Sequence, residues 1–125
     1  MSRFLLIAAG LLGGLSVAAG AFGAHGLKAV LEARGQAGNW ETAARYALCH
    51  ALAIGLVGLW SRLRPAAGLA AAGCCFLAGT TIFSGCLFAL AATGWKILGA
   101  VVPIGGGLLI AGWAALAVVA WRERG

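Results

Sequence analysis

Four apolar runs, each about 20 residues long, leave this chain few ways to fold. The first extends from Phe4 to about Gly26, directly after Arg3. The second runs from about Thr42 to Trp60 and stops at "SRLRP"; the third starts near Ala66 and ends at "ATGWK"; the fourth runs from about Ile97 to Trp121. Of the 125 residues, 62% are hydrophobic and 10% charged, more apolar surface than a soluble domain of this length has interior to hide. In hydrocarbon an open strand would leave its peptide groups unpaired, so each run must be a helix. The expected fold is an all-α integral membrane protein. It is a single domain whose four transmembrane helices, at 4–26, 42–60, 66–93 and 97–121, form an antiparallel bundle. A rival reading takes residues 1–21 as a signal peptide with "AGA" at Ala19 to Ala21 as its cleavage site, but the apolar run is long for that and continues past the cut.

The basic residues suggest an orientation. An even number of spans puts both termini on one side, with Arg3, Arg62, Arg64, Arg122 and Arg124. The other side holds Lys28, Arg34, Arg45 and Lys96. This bias favours both termini in the cytoplasm, the more so because Arg45 belongs to the second helix and not to its loop. The formal net charge of +6 is scattered beside apolar segments, without the interleaved aromatic residues of a nucleic-acid surface. It fits the lipid bilayer, and anionic lipids within it, as the partner, with no nucleic acid. The segment 27–41 is the one sizeable loop, with Leu27, Val30 and Leu31 making a short amphipathic turn at the headgroups, followed by Gly35, Gly38 and the interfacial Trp40.

The 21 glycines suit helices that must approach closely, because lipid supplies little hydrophobic drive between them. Gly10 and Gly14 form a GxxxG pair; Gly20 and Gly23 continue the small surface of the first helix. Such a stripe serves either contacts within the bundle or a homo-oligomer. In the fourth span, Pro103 removes one intrahelical bond and Gly105 and Gly106 follow, so a kink or loosened turn is expected there.

Chain direction brings polar residues to one depth on the loop side: His25 at the end of the first helix, His50 two turns into the second, and Ser84 near the end of the third. Glu41 and Arg45 have the i, i+4 spacing and order of an interfacial ion pair, and Thr42, Tyr46 and His50 share the neighbouring stripe. A polar face entering lipid should turn into the bundle. His25 would then hydrogen-bond to His50, Tyr46, Ser84 or a carbonyl bared near Gly105, with Gly23, Ala24 and Gly26 letting another helix approach. A structural hydrogen-bond network is the first reading of this cluster and a proton-titrating histidine pair the second. Cys49, Cys74, Cys75 and Cys86 all lie in apolar runs and look like small hydrophobes, not a disulfide framework. His25, His50, Cys49 and Cys86 offer metal-ligand atoms without a metal-ligand spacing, so no metal and no cofactor is expected. There is no Asp at all and no Gly-x-Ser-x-Gly elbow, which argues against nucleophilic catalysis.

Five stretches together carry a resemblance: "GAFGAHGL" at Gly20 to Leu27, "WETAARY" at Trp40 to Tyr46, "HALAI" from His50, "FSG" at Phe83 to Gly85, and "PIGG" at Pro103 to Gly106 followed by "GW" at Gly112. In this order the chain resembles, over nearly its whole length, the small four-helix inner-membrane proteins of the YgdD and YwdK type, a domain-of-unknown-function family. The resemblance implies four spans and a retained first helix, and brings no activity with it. Cys86 and Phe88 stand where relatives continue "FSGSLY", and Val102 where they often carry Thr, which weakens polar chemistry in that corner. The functional expectation is a non-catalytic multi-pass protein of the cell (inner) membrane, interacting with lipid or serving as an accessory to a membrane-protein partner. A small-solute or proton permease using His25 and His50 is the alternative, and a metal or thiol redox protein the third.

Overall fold

The computed structural model describes residues 1–123; Arg124, counted above among the basic residues of the terminal side, lies outside the described residues. Among them are five helices: α1 (Ser2–Ala24), α2 (Lys28–Ala33), α3 (Ala37–Leu63), α4 (Ala67–Thr93) and α5 (Ile97–Arg122). All but α2 are long and apolar enough to cross a membrane. At 1.5 Å per residue, the 23 residues of α1 reach about 34 Å, slightly more than a hydrocarbon core of about 30 Å.

The helix ends follow local chemistry. α2 stops in a Schellman motif: Gln36 N–H bonds to Leu31 O at 2.8 Å and Gly35 N–H to Glu32 O at 3.1 Å. That motif needs a left-handed residue, and Gly35 supplies it with φ +65°. Gln36 then serves as the N-cap of α3, so α3 begins at Ala37 and not near Thr42, and most of the expected loop is helix. The far end of α3 runs on to Leu63, because the residue before Pro65 is the first forced into an extended conformation (Arg64, φ −142°, ψ 94°). At the end of α4, Gly94 takes φ +74°, and Arg34 donates from Nη1 to Ala92 O at 2.8 Å. A guanidinium there satisfies a carbonyl that the helix leaves free and complements its dipole.

The spanning helices pack as consecutive antiparallel neighbours, α1 on α3, α3 on α4 and α4 on α5. The apolar core gathers Leu5, Ile54, Val57, Leu69, Ala72, Phe76, Leu116 and Val119, all in the half of the bundle nearest the termini, with Leu109 at mid-depth. Leu5, Ile54, Val57 and Phe76 are fully enclosed. The outward side chains, Phe4, Ile7, Leu11 and Leu15 on α1 and Ile104 and Ile110 on α5, are apolar and exposed, as a lipid-facing surface must be.

Two expectations about small residues are corrected. α5 is helical throughout Ile97–Arg122, Pro103 included, so Gly105 and Gly106 do not lie in an unwound turn. The glycines there serve close approach instead of unwinding: a Cβ on Gly105 would lie 2.5 Å from Phe83 N and 2.9 Å from Gly79 O, so no other residue lets α4 and α5 come this near. On α1, a Cβ at Gly10, Gly14 or Gly20 would meet nothing within 4 Å, so close approach inside the bundle does not require glycine at these three positions. Gly23 does, because the Trp40 ring occupies the space its side chain would need.

Candidate functional site

The half of the bundle nearest α2 holds most of the buried polar groups, and two of its cavities meet at one side chain. Trp40, on the first turn of α3, divides them. Its indole N–H donates to Ala19 O at 2.8 Å, and its ring meets Phe88 edge-on with centroids 4.7 Å apart. An indole can only donate, and the lone pair of the α1 carbonyl that it takes ties α1 to α3 at the membrane surface.

One cavity, of 380 Å³, lies between α1, α3 and α4. Its wall is Leu12, Leu15, Ser16 and Ala19 of α1, Trp40 and Ala47 of α3, and Thr80, Thr81, Ser84, Gly85 and Phe88 of α4. Most of that wall is apolar. Ser16 and Thr81 return their hydroxyls to carbonyls one turn back, Leu12 O at 2.6 Å and Leu77 O at 2.8 Å, the usual resort of a hydroxyl in an apolar helix. Thr80 and Ser84 do not: both side chains are buried, and neither oxygen has a hydrogen-bond partner. Thr80 is the middle residue of α4, so these two hydroxyls sit near mid-depth in the membrane, where an unmade bond is most costly.

The second cavity, of 330 Å³, lies at the surface between the last turn of α1, α2 and the start of α3. Lys28, Glu32 and Glu41 contribute to its wall beside Trp40 and Leu31. Glu41 accepts from Arg45 Nη2 at 2.6 Å, and the pair is largely exposed. Exposure makes it worth at most about 1 kcal/mol.

The histidines do not meet. His25 caps the C-terminal end of α1, is exposed, and makes none of the side-chain bonds expected of it; Gly26 belongs to the turn into α2, and Gly23 is the seat of Trp40. His50 is buried and engages other partners. Trp113 Nε1–H donates to its Nε2 at 3.1 Å, and its Nδ1 lies 2.8 Å from Tyr46 O. Because Trp113 must be the donor, Nε2 carries the lone pair and the proton sits on Nδ1, bonded to the Tyr46 carbonyl. Around this neutral imidazole, Tyr46 stacks at 5.9 Å, Phe76 lies 5.7 Å away and Phe83 packs on Tyr46 at 4.6 Å. Of the expected cluster, then, Tyr46 and His50 stand together, Glu41 and Arg45 form a separate surface pair, Ser84 faces the first cavity's wall, and His25 stands apart. No group of three His, Cys, Asp or Glu side chains among the described residues is placed to hold a metal ion, and the four cysteines are free thiols.

The sequence marks Trp40 as an interfacial residue, and no spacing in the sequence marks Trp40 or Trp113 as a hydrogen-bond donor between helices. Trp113 is 63 residues from His50, and no local pattern links them. The "GW" pair was the available signal: a Cβ on Gly112 would collide with the Phe76 ring, 2.7 Å away, so this glycine lets α5 close on the aromatic cluster that Trp113 joins.

Residues 19–106 match the family described as "Protein of unknown function (DUF423)". A UPF0382 membrane protein of Staphylococcus haemolyticus is 38% identical over the whole of both chains. The UPF0382 membrane protein YwdK of Bacillus subtilis is 37% identical over 85% of this chain and 86% of its own, and a UPF0382 membrane protein of Schizosaccharomyces pombe is 36% identical over 88% and 95%. No solved structure matches the chain at a significant level. With four membrane-spanning helices and relatives named as membrane proteins along its full length, the chain belongs to the DUF423 (UPF0382) family of membrane proteins of unknown function.

Proposed function

We propose that this protein is a non-catalytic component of the cell (inner) membrane, with both termini cytoplasmic, and that it binds lipid in the cleft between α1 and α4. The observation that carries this reading is the 380 Å³ cavity: a largely apolar space walled by three spanning helices, in a protein whose outward side chains are apolar. In a bilayer such a space is filled by hydrocarbon, and dispersion with its wall replaces contacts that the helices do not make with each other. The buried histidine is accounted for by its two neutral bonds, with no proton path required of it.

The test is native mass spectrometry of the full chain released from mild detergent, beside Gly85→Leu. Gly85 lines the cavity, and a Cβ there meets nothing within 4 Å, so a leucine fills the space without disturbing the backbone. Wild type should carry a phospholipid mass that the variant sheds. Bare protein in both, or equal lipid in both, refutes the reading.

A further inference from the structure

The surface cavity is walled by charges of both signs, and two of them, Lys28 and Glu32, form no ion pair among the described residues. Lys28 and Glu32 stand one turn apart on α2 and line the same space, yet the one ion pair among the described residues is Arg45–Glu41. Lys preceding Glu is the poorer order for an i, i+4 pair on a helix, which leaves the ammonium and the carboxylate free for other partners. Glu41, held by Arg45, stands on the opposite wall. The floor is small and apolar, with Gly20, Gly23 and Ala24 of α1 and Ala44 of α3.

We infer that this cavity is a headgroup site for a phospholipid bearing a primary amine. Its phosphate pairs with Lys28 and its ammonium with Glu32, beside Glu41. Phosphate and ammonium in such a headgroup are separated by two carbons, a spacing suited to two side chains whose Cβ atoms are about 5–6 Å apart. The location commits the site to a lipid and not to a soluble zwitterion. It lies where α1 ends and α3 begins, beside an interfacial tryptophan, and its small apolar floor accepts the first methylenes of a chain. A primary ammonium donates hydrogen bonds to carboxylates; a choline headgroup cannot, and a glycerol headgroup has no cation to offer.

The inference rests on the lipid-binding reading above and is tested so that the two can fail separately. The full chain is exchanged into mixed micelles containing equal amounts of phosphatidylethanolamine, phosphatidylcholine and phosphatidylglycerol with identical chains. The retained lipids are then identified by native mass spectrometry. Wild type should retain the ethanolamine lipid over the other two by roughly two- to fivefold, the size expected of exposed charge pairs. Glu32→Gln should lose that preference and gain phosphatidylglycerol, because Lys28 then faces the phosphate unopposed. Lys28→Gln should lose retention of either lipid at this site, leaving only the lipid that Gly85→Leu removes. Both side chains are exposed, so the thermal midpoint should not move and lost binding is not lost folding. Equal retention of the three lipids, or a preference that survives both substitutions, overturns the headgroup assignment while leaving Gly85-sensitive lipid binding intact. No retained lipid at all overturns both. Free phosphoethanolamine added as a competitor should leave the lipid in place; displacement by it at equal concentration would overturn the lipid source.

Discussion

Toward the chain ends, Leu5, Ile54, Val57, Leu69 and Phe76 are enclosed almost completely; toward α2, the buried side chains are largely alanines and hydroxyls, Ala43, Ala44, Ala47, Ser16, Thr80 and Ser84. The same four helices build both halves. Large branched and aromatic side chains interdigitate at the centre of the first, whose cavities lie at its rim, beside Ser61 and Pro65 and between α4 and α5 near Ala67 and Val118. Small residues in the second bring backbones close along some lines and leave space along others, so close approach at Gly105 and Gly23 coexists with two cavities. The difference teaches that a glycine-rich membrane bundle need not be uniformly tight. Its small residues decide where it touches itself and where lipid must complete it.

The sharpest way to break this contrast is to truncate one phenylalanine in each half. Phe76 is fully buried and packs on Trp113 with centroids 4.9 Å apart, so Phe76→Ala should cost about 3–5 kcal/mol. Phe88 borders the cavity, where lipid can follow a retreating side chain, and Phe88→Ala should cost well under half of that. Unfolding midpoints in one detergent give the comparison. Equal losses would mean that the two halves are packed alike.

Close backbone contact can be probed next, at Gly105. One added methyl there must push against Phe83 N and Gly79 O, both backbone atoms that cannot rotate aside. Gly105→Ala should therefore destabilise by about 1–3 kcal/mol, the usual range for overpacking. The neighbouring Gly106→Ala places its methyl 3.7 Å from the Phe83 ring, an ordinary contact, and should change the midpoint little. If the two variants behave alike, the α4–α5 approach is looser than this geometry requires.

The buried imidazole offers a smaller effect. Trp113→Phe keeps an aromatic ring against Phe76 but removes the N–H donated to His50 together with part of the indole ring, leaving Nε2 without a partner. The expected loss is about 1 kcal/mol, since hydrogen bonds within membrane bundles average about 0.6 kcal/mol. The ¹⁵N resonances of His50 check the tautomer directly. Wild type should report a proton on Nδ1 and a hydrogen-bonded lone pair on Nε2, and a protonated Nε2 would overturn the assignment.

How much of this could be read in advance differs along the same division. Helix positions follow from runs of apolar residues, and the Glu41–Arg45 bond from spacing on one helix; both are properties of short segments. The α3 start was misplaced by five residues because Gly35 and Gly38 look alike in sequence, and only Gly35 takes the left-handed conformation that ends α2. His25 was misjudged for a related reason. Small residues around it look like room for a helix to dock, and the room at Gly23 belongs to Trp40 instead. The His50–Trp113 bond and the unpartnered hydroxyls of Thr80 and Ser84 depend on which helix faces meet, and four apolar spans leave that undetermined from sequence. No rule of spacing says that Thr81 returns its hydroxyl to the chain and Thr80 does not.

The smallest expected effect lies on the exposed face of α1. Gly10 and Gly14 have the spacing of a helix-dimer motif, yet an added methyl at either meets open space within this chain. In an isolated protomer, replacing both with alanine should stabilise modestly, by less than about 1 kcal/mol per site, because alanine is the better helix former. A copy of the chain seated on that stripe would reverse the sign, since each methyl would then hold two helix backbones apart. Measuring the midpoint and the detergent-corrected mass of the Gly10→Ala, Gly14→Ala variant together separates the cases. An unchanged mass with an equal or higher midpoint leaves α1 facing lipid. A halved mass with a lower midpoint would show that the open face of α1 is closed by a second copy, and that part of the looseness between the two halves is a property of the single chain alone.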